Sequence, residues 1–119
     1  MNLTSTKPLQ EKSYLFAIDV VKMCRRMMNV QKEFVLSKQL LRSGSSIGAN
    51  IEESQFAQSK ADFISKLSIA LKEANESRYW IRLLADTEYI DKTEKEILLK
   101  TLHDIIPILI RSLKTAKGI

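Results

Sequence analysis

Scarcity of turn residues constrains this chain more than any other feature. Three Gly and two Pro in 119 residues are too few to punctuate an all-β sandwich or a collagen-like repeat. A chain so poor in breakers folds into long helices. Two of the glycines, Gly44 and Gly48, lie four residues apart in a stretch whose apolar spacing continues through Ile47 and Ile51. A helix could end at Ser43-Gly44-Ser45-Ser46, but the continuing spacing argues against that. Each mid-helix glycine costs about 1 kcal/mol relative to Ala, so the pair predicts that another backbone approaches closely there.

The spacing predicts four helices, over about 9–28, 37–56, 60–88 and 94–116. Pro8 suits the first helical position, where its missing N–H costs nothing. Phe16, Ala17, Val20, Cys24, Met27 and Met28 then recur at helical spacing, and Leu15, Ile18 and Val21 widen the stripe to two faces. Leu40, Gly44, Ile47, Gly48 and Ile51 form the stripe of the second helix. Ser59 with Asp62 fits an N-cap for the third. That helix carries Phe63, Leu67, Ala70, Ala74, Ser77, Ile81 and Leu84 on one stripe and Ile69, Glu73, Glu76, Trp80 and Leu83 on a second. Thr93 with Glu96 fits a capping box for the fourth, whose apolar residues run from Ile97 to Leu113. Pro107 predicts a kink, and Gly118 a C-cap. Short connections make consecutive helices antiparallel, so the expected fold is all-α: a single-domain, up-down-up-down four-helix bundle. Spare apolar surface on the first and fourth helices predicts self-association.

Charge gives the first functional indication. Nineteen Lys and Arg against fourteen Asp and Glu leave a net +5 and a pI near 9.4. Such a field attracts polyanions, nucleic acid among them. One Cys (Cys24) excludes an internal disulfide framework and a Cys-rich zinc site, and one His (His103) excludes a multi-histidine centre. No Glu precedes a His by three, as the metal sites of helical bundles require, and no glycine-rich phosphate loop, GxSxG or HExxH is present. The chain is therefore expected to hold no metal or cofactor and to have no catalytic residues. Neither a signal-peptide core after Met1 nor a membrane-length apolar run is seen, which predicts a cytoplasmic protein.

Lys22, Arg25, Arg26 and Lys32 form the densest basic cluster, and Arg111, Lys114 and Lys117 a second. Each could contact phosphates or simply complement a helix C-terminus. Arg78 and Arg82 flank Tyr79 and Trp80, a pattern that can clamp a nucleic-acid strand or pack as a helix face. Arg42, Ser46, Asn50 and Glu53 share one face of the second helix. With Glu73 and Glu76 they are expected to form a buried or interfacial polar network in which Arg42 bridges carboxylates.

Two blocks carry a resemblance. One is Phe34-Val-Leu-Ser-Lys-Gln-Leu-Leu-Arg-Ser-Gly-Ser-Ser-Ile-Gly-Ala-Asn-Ile-Glu-Glu53. The other is Asp62-Phe-Ile-Ser-Lys-Leu-Ser-Ile-Ala-Leu-Lys-Glu-Ala-Asn-Glu-Ser-Arg-Tyr-Trp-Ile-Arg-Leu-Leu84. Together they resemble bacterial four-helix bundle proteins encoded in intervening sequences of large-subunit ribosomal RNA, a family similar to the accessory variability determinant proteins of diversity-generating retroelements. The resemblance spans about Lys7 to Lys117. It implies a homopentameric barrel with a central channel and a non-enzymatic role; the retroelement relatives bind nucleic acid and a reverse transcriptase. The leading expectation is an oligomeric scaffold that binds RNA or DNA through basic helix ends. The alternative is an adaptor whose partner is another protein.

Overall fold

Helices α1 (Lys7–Val30), α2 (Val35–Ser54), α3 (Lys60–Asp86) and α4 (Lys92–Lys117) account for nearly all of residues 7–119, the span described by the computed structural model. The stretch read for a targeting signal, Met1 to Thr6, lies outside the described residues. Connections over 31–34, 55–59 and 87–91 are too short to let a helix cross the bundle, so each packs antiparallel to the one before it. α1 packs on α2, α2 on α3 and α3 on α4, and α4 closes the square more loosely against α1. The result is a bundle of 45 × 22 × 18 Å, with no strand among the described residues. Nor is any described helix long and apolar enough to cross a membrane.

One stripe per helix fills the core. Phe16, Val20, Cys24 and Met27 of α1 meet Leu40, Ile47 and Ile51 of α2 together with Leu67, Ala74 and Ile81 of α3 and Leu98, Leu102, Ile105 and Leu109 of α4. The second face expected on α1 is not buried within the chain: Leu15 is 60% exposed, and Ile18 and Val21 are only half-buried. Ile97 of α4 is likewise 54% exposed. A four-helix square has room for one stripe from each member, and the surplus faces outward.

The expected backbone approach is met at Gly48, while at Gly44 it is a side chain that fills the space. A Cβ on Gly44 would lie 2.9 Å from a methyl of Val20, and one on Gly48 would lie 3.3 Å from the Ser13 hydroxyl and 3.5 Å from the Ser13 carbonyl oxygen. α1 therefore packs tightly against α2 at both glycines.

Helix ends show two agreements and one correction. The Ser59 hydroxyl accepts the Asp62 N–H at 3.0 Å, capping α3 as expected. α4 starts earlier than Thr93: Asp91 accepts the Glu94 N–H at 2.8 Å, and Glu94 accepts the Asp91 N–H at 3.0 Å. The reason lies in the preceding turn. Glu88 takes a left-handed conformation (φ 68°) and the Tyr89 N–H closes on the Leu84 carbonyl at 2.9 Å, so Asp91 is already positioned to cap. Gly118, at φ 77°, closes α4 in the left-handed conformation that glycine tolerates best. α4 runs uninterrupted through Pro107. Pro107 and His103, whose carbonyl loses its helical donor, are both exposed, so water can satisfy that oxygen.

Phe34 at the start of α2 offers no side-chain cap, and Glu33 takes over. Its carboxylate accepts the Ser37 N–H at 2.8 Å and the Val35 N–H at 3.3 Å, and the Ser37 hydroxyl lies 3.0 Å away. Burial pushes the Glu33 carboxyl up, but hydrogen bonds from Ser37, Leu36 and Val35 outweigh it and hold the group below its usual range. A depressed carboxyl contributes its full stability above the unfolded value of about 4.3 and loses it as pH falls through the folded value. Glu33→Gln is therefore expected to flatten the acid limb of a stability–pH curve below about pH 5. At neutral pH it should cost about 1 kcal/mol, the usual scale of a lost cap. Thermal melts of both proteins from pH 3 to pH 7 check this; parallel acid limbs would refute it.

Candidate nucleic-acid interface

The basic residues of α1 divide by what holds them. α1 runs on to Val30 with no basic residue in its last turn. Lys22 and Arg25 thus lie more than a turn from the C-terminus, where the helix dipole has faded. Complementing the dipole does not account for them. Lys114 and Lys117 do stand in the last turn of α4, where it does. Arg26 has a partner: both of its terminal nitrogens meet the Glu94 carboxylate, which also belongs to the α4 capping box. Arg26 therefore ties α1 to the start of α4. Lys32 is exposed in the α1–α2 connection at φ 57°.

On α3, Arg78 donates to the Asn75 side-chain oxygen at 2.9 Å, and Arg82 is exposed. Tyr79 and Trp80 meet edge to face with ring centres 5.1 Å apart. Trp80 is half-buried, and its ring N–H donates to Glu76 at 3.2 Å, so it packs as an anchor rather than lying open for a base. The candidate cations therefore occupy three separate places. Lys22, Arg25, Arg26 and Lys32 lie towards the α1–α2 connection, Arg78 and Arg82 on α3, and Arg111 and Lys114 at the far end of α4. Antiparallel topology puts the first and last groups at opposite ends of a 45 Å molecule.

Between α2 and α3 runs the polar network. Arg42 lies 3.5 Å from Glu73 and also pairs with Glu76. Glu73 is buried, and one of its carboxylate oxygens has no hydrogen bond. Glu53 pairs instead with Lys66 at 3.3 Å. Ser46 and Asn50 turn back onto their own helix, donating to the Arg42 and Ser46 carbonyls at 2.6 and 2.8 Å. Sequence reasoning missed the buried hydrogen bond from Ser77 to Ser43 at 2.9 Å. The available signal was Ser77 standing in the otherwise apolar stripe of α3. Gln31, which donates to the Tyr89 carbonyl at 3.0 Å and joins two connections, gave none.

Burial, with help from the Glu33 charge, pushes the Cys24 thiol up to about 12; a thiol that stays protonated is a poor nucleophile and a poor ligand. Among the described residues, no group of three His, Cys, Asp or Glu comes together to hold a metal ion. What the surface does offer is positive charge. Only five of the nineteen Lys and Arg, namely Lys12, Arg26, Arg42, Lys66 and Lys92, are in ion pairs among the described residues. Many carboxylates, by contrast, are held in caps or pairs.

Residues 8–111 match the model of the 23S rRNA-intervening sequence protein family. The chain belongs to that family. It is also similar to a solved structure, that of a protein with unknown function from the S23 ribosomal protein family of Bacteroides thetaiotaomicron VPI-5482. The two are 50% identical over 93% of this chain and 99% of that one, with a TM-score of 0.90. No curated protein matches the chain. The span matched by the intervening-sequence family contains Lys22, Arg25, Arg26, Lys32, Arg78, Arg82 and Arg111 and ends before Lys114.

Proposed function

We propose that this intervening-sequence family member is a non-enzymatic, oligomeric scaffold that binds RNA or DNA phosphates, chiefly through the end of the bundle carrying Lys22, Arg25 and Lys32. One observation carries the reading. Those three cations have no ion-pair partner among the described residues, and neither Lys22 nor Arg25 has a helix terminus to complement. Phosphate contact gives them a role. The similarity to nucleic-acid-binding retroelement accessory proteins that the family resemblance implies would fit the same reading. So would the surplus apolar surface at Leu15 and Ile97, which self-assembly would cover. In the pentamer that the resemblance implies, five subunits would carry about +25, a field able to hold a polyanion without sequence preference. Weak sites repeated around a ring gain affinity through multivalency.

Fluorescence anisotropy with labelled single-stranded RNA and duplex DNA across salt concentrations tests this. Log affinity is expected to fall linearly with log salt, the slope counting phosphate contacts. Lys22→Ala with Arg25→Ala should weaken binding at least tenfold and leave stability within about 0.5 kcal/mol, as surface changes do. Arg26→Ala should show the reverse pattern: stability lost with the α1–α4 tie, and affinity changed less. Absence of binding at low salt would overturn the reading and leave the protein adaptor. Light scattering on the same samples measures the assembly, with a mass near 13.6 kDa counting against a ring.

A further inference from the structure

We propose that a groove at the opposite end of the bundle docks an acidic, apolar-faced peptide segment of a protein partner. The groove lies between the α2–α3 connection with the start of α3 and the last turns of α4, and has a volume of about 920 Å³. Ala57, Phe63, Ile108 and Ala116 give it an apolar lining, and Lys60 and Arg111 stand at its border. Neither cation is in an ion pair, and no carboxylate lines the groove among the described residues. Phe56, next in the chain to the groove lining, is 83% exposed, more than any other large apolar side chain described.

These features select the occupant. An aliphatic floor takes Leu or Ile side chains, and an unpaired Arg fork takes a carboxylate through two parallel hydrogen bonds. A phosphate backbone would engage only the two cations and leave the apolar lining uncovered, whereas an acidic, apolar-faced peptide uses both. The site goes beyond the nucleic-acid reading and stands or falls separately from it. It reassigns Arg111 from phosphate to carboxylate, so that one molecule could hold nucleic acid at one end and a protein at the other.

The test uses the full chain and two fluorescein-labelled amphipathic helical peptides of one design, Leu on one face and either Glu or Lys on the other. The Glu peptide is expected to bind, shifting the amide resonances of Phe63, Ile108 and Ser112, and the Lys peptide to bind at least tenfold more weakly. Lys60→Glu with Arg111→Glu, both exposed positions, should reverse that preference. Lys22→Ala with Arg25→Ala should leave peptide binding unchanged even if it abolishes RNA binding. No binding of the Glu peptide, or shifts spread over the whole surface, would overturn the proposal. So would displacement of the peptide by a 12-nucleotide RNA, which would make the groove a nucleic-acid site. A change of oligomeric mass on charge reversal would also overturn it, because a second copy would then be the occupant.

Discussion

Gly44→Ala is expected to destabilise the bundle by about 1 kcal/mol, the opposite sign from the same change in an open helix. Removing a mid-helix glycine yields roughly 1 kcal/mol through backbone entropy and propensity. Here the new methyl would lie 2.9 Å from one γ-carbon of Val20 and 3.1 Å from the other. Val20 is fully buried, and a β-branched side chain in a helix has one strongly preferred rotamer. Relief therefore requires α1 and α2 to move apart, an overpacking cost of about 1–3 kcal/mol. Val20→Ala opens the space and alone costs about 2 kcal/mol through the cavity it leaves. The double variant should be more stable than the two losses added together, because the added methyl partly fills that cavity. Gly48→Ala, whose nearest neighbour would be 3.3 Å away, should be milder. Urea midpoints at constant m-value read all four proteins. A stabilised Gly44→Ala would mean that the helices are free to adjust and that close approach is not why glycine stands there.

Arg42→Ala should cost about 2 kcal/mol. Breaking a buried pair by removing one partner typically costs 3–5 kcal/mol. Arg42 is half in water, with its side chain 55% exposed, but Glu73 is not, at 11%. The loss comes mainly from the Glu73 carboxylate left in place, already short of one hydrogen bond and without its cation. Glu73→Gln in the Arg42→Ala background should therefore recover much of the loss, because a neutral amide is cheaper to bury than an unpaired charge. A double-mutant cycle from chemical denaturation measures this. A loss below 0.5 kcal/mol for Arg42→Ala would show that Arg42 does not hold Glu73, and that the pair is only a surface contact.

What was legible in the sequence followed from periodicity and local chemistry. The α3 stripe from Phe63 to Leu84 was readable because helical spacing and burial coincide there at every position. Gly44 and Gly48 were readable because their cost in a helix demands a reason. The α4 cap was misplaced because Thr93 and Glu96 have the right spacing, as do Asp91 and Glu94, and only the left-handed Glu88 decides between them. Glu33 as the α2 cap was invisible because it acts from outside the usual capping position. The candidate cations were legible as residues but not as sites. Composition counts charges, whereas partnership requires knowing that Glu94 reaches Arg26 across a gap of 68 residues.

The loose α4–α1 edge has a consequence for how the chain reaches this structure. Every other extensive helix pairing joins neighbours along the chain, so most native contacts are local and folding should be fast for the protein's size. Closure of α4 onto α1 is the exception, since it brings the two ends of the chain together. That step pays the largest loop entropy for the smallest of the four side-by-side packings. α1, α2 and α3 are thus expected to form the nucleus and α4 to dock last. Ion pairs across the closing edge, Arg26–Glu94 and Lys12–Asp104, would then slow unfolding far more than they speed folding.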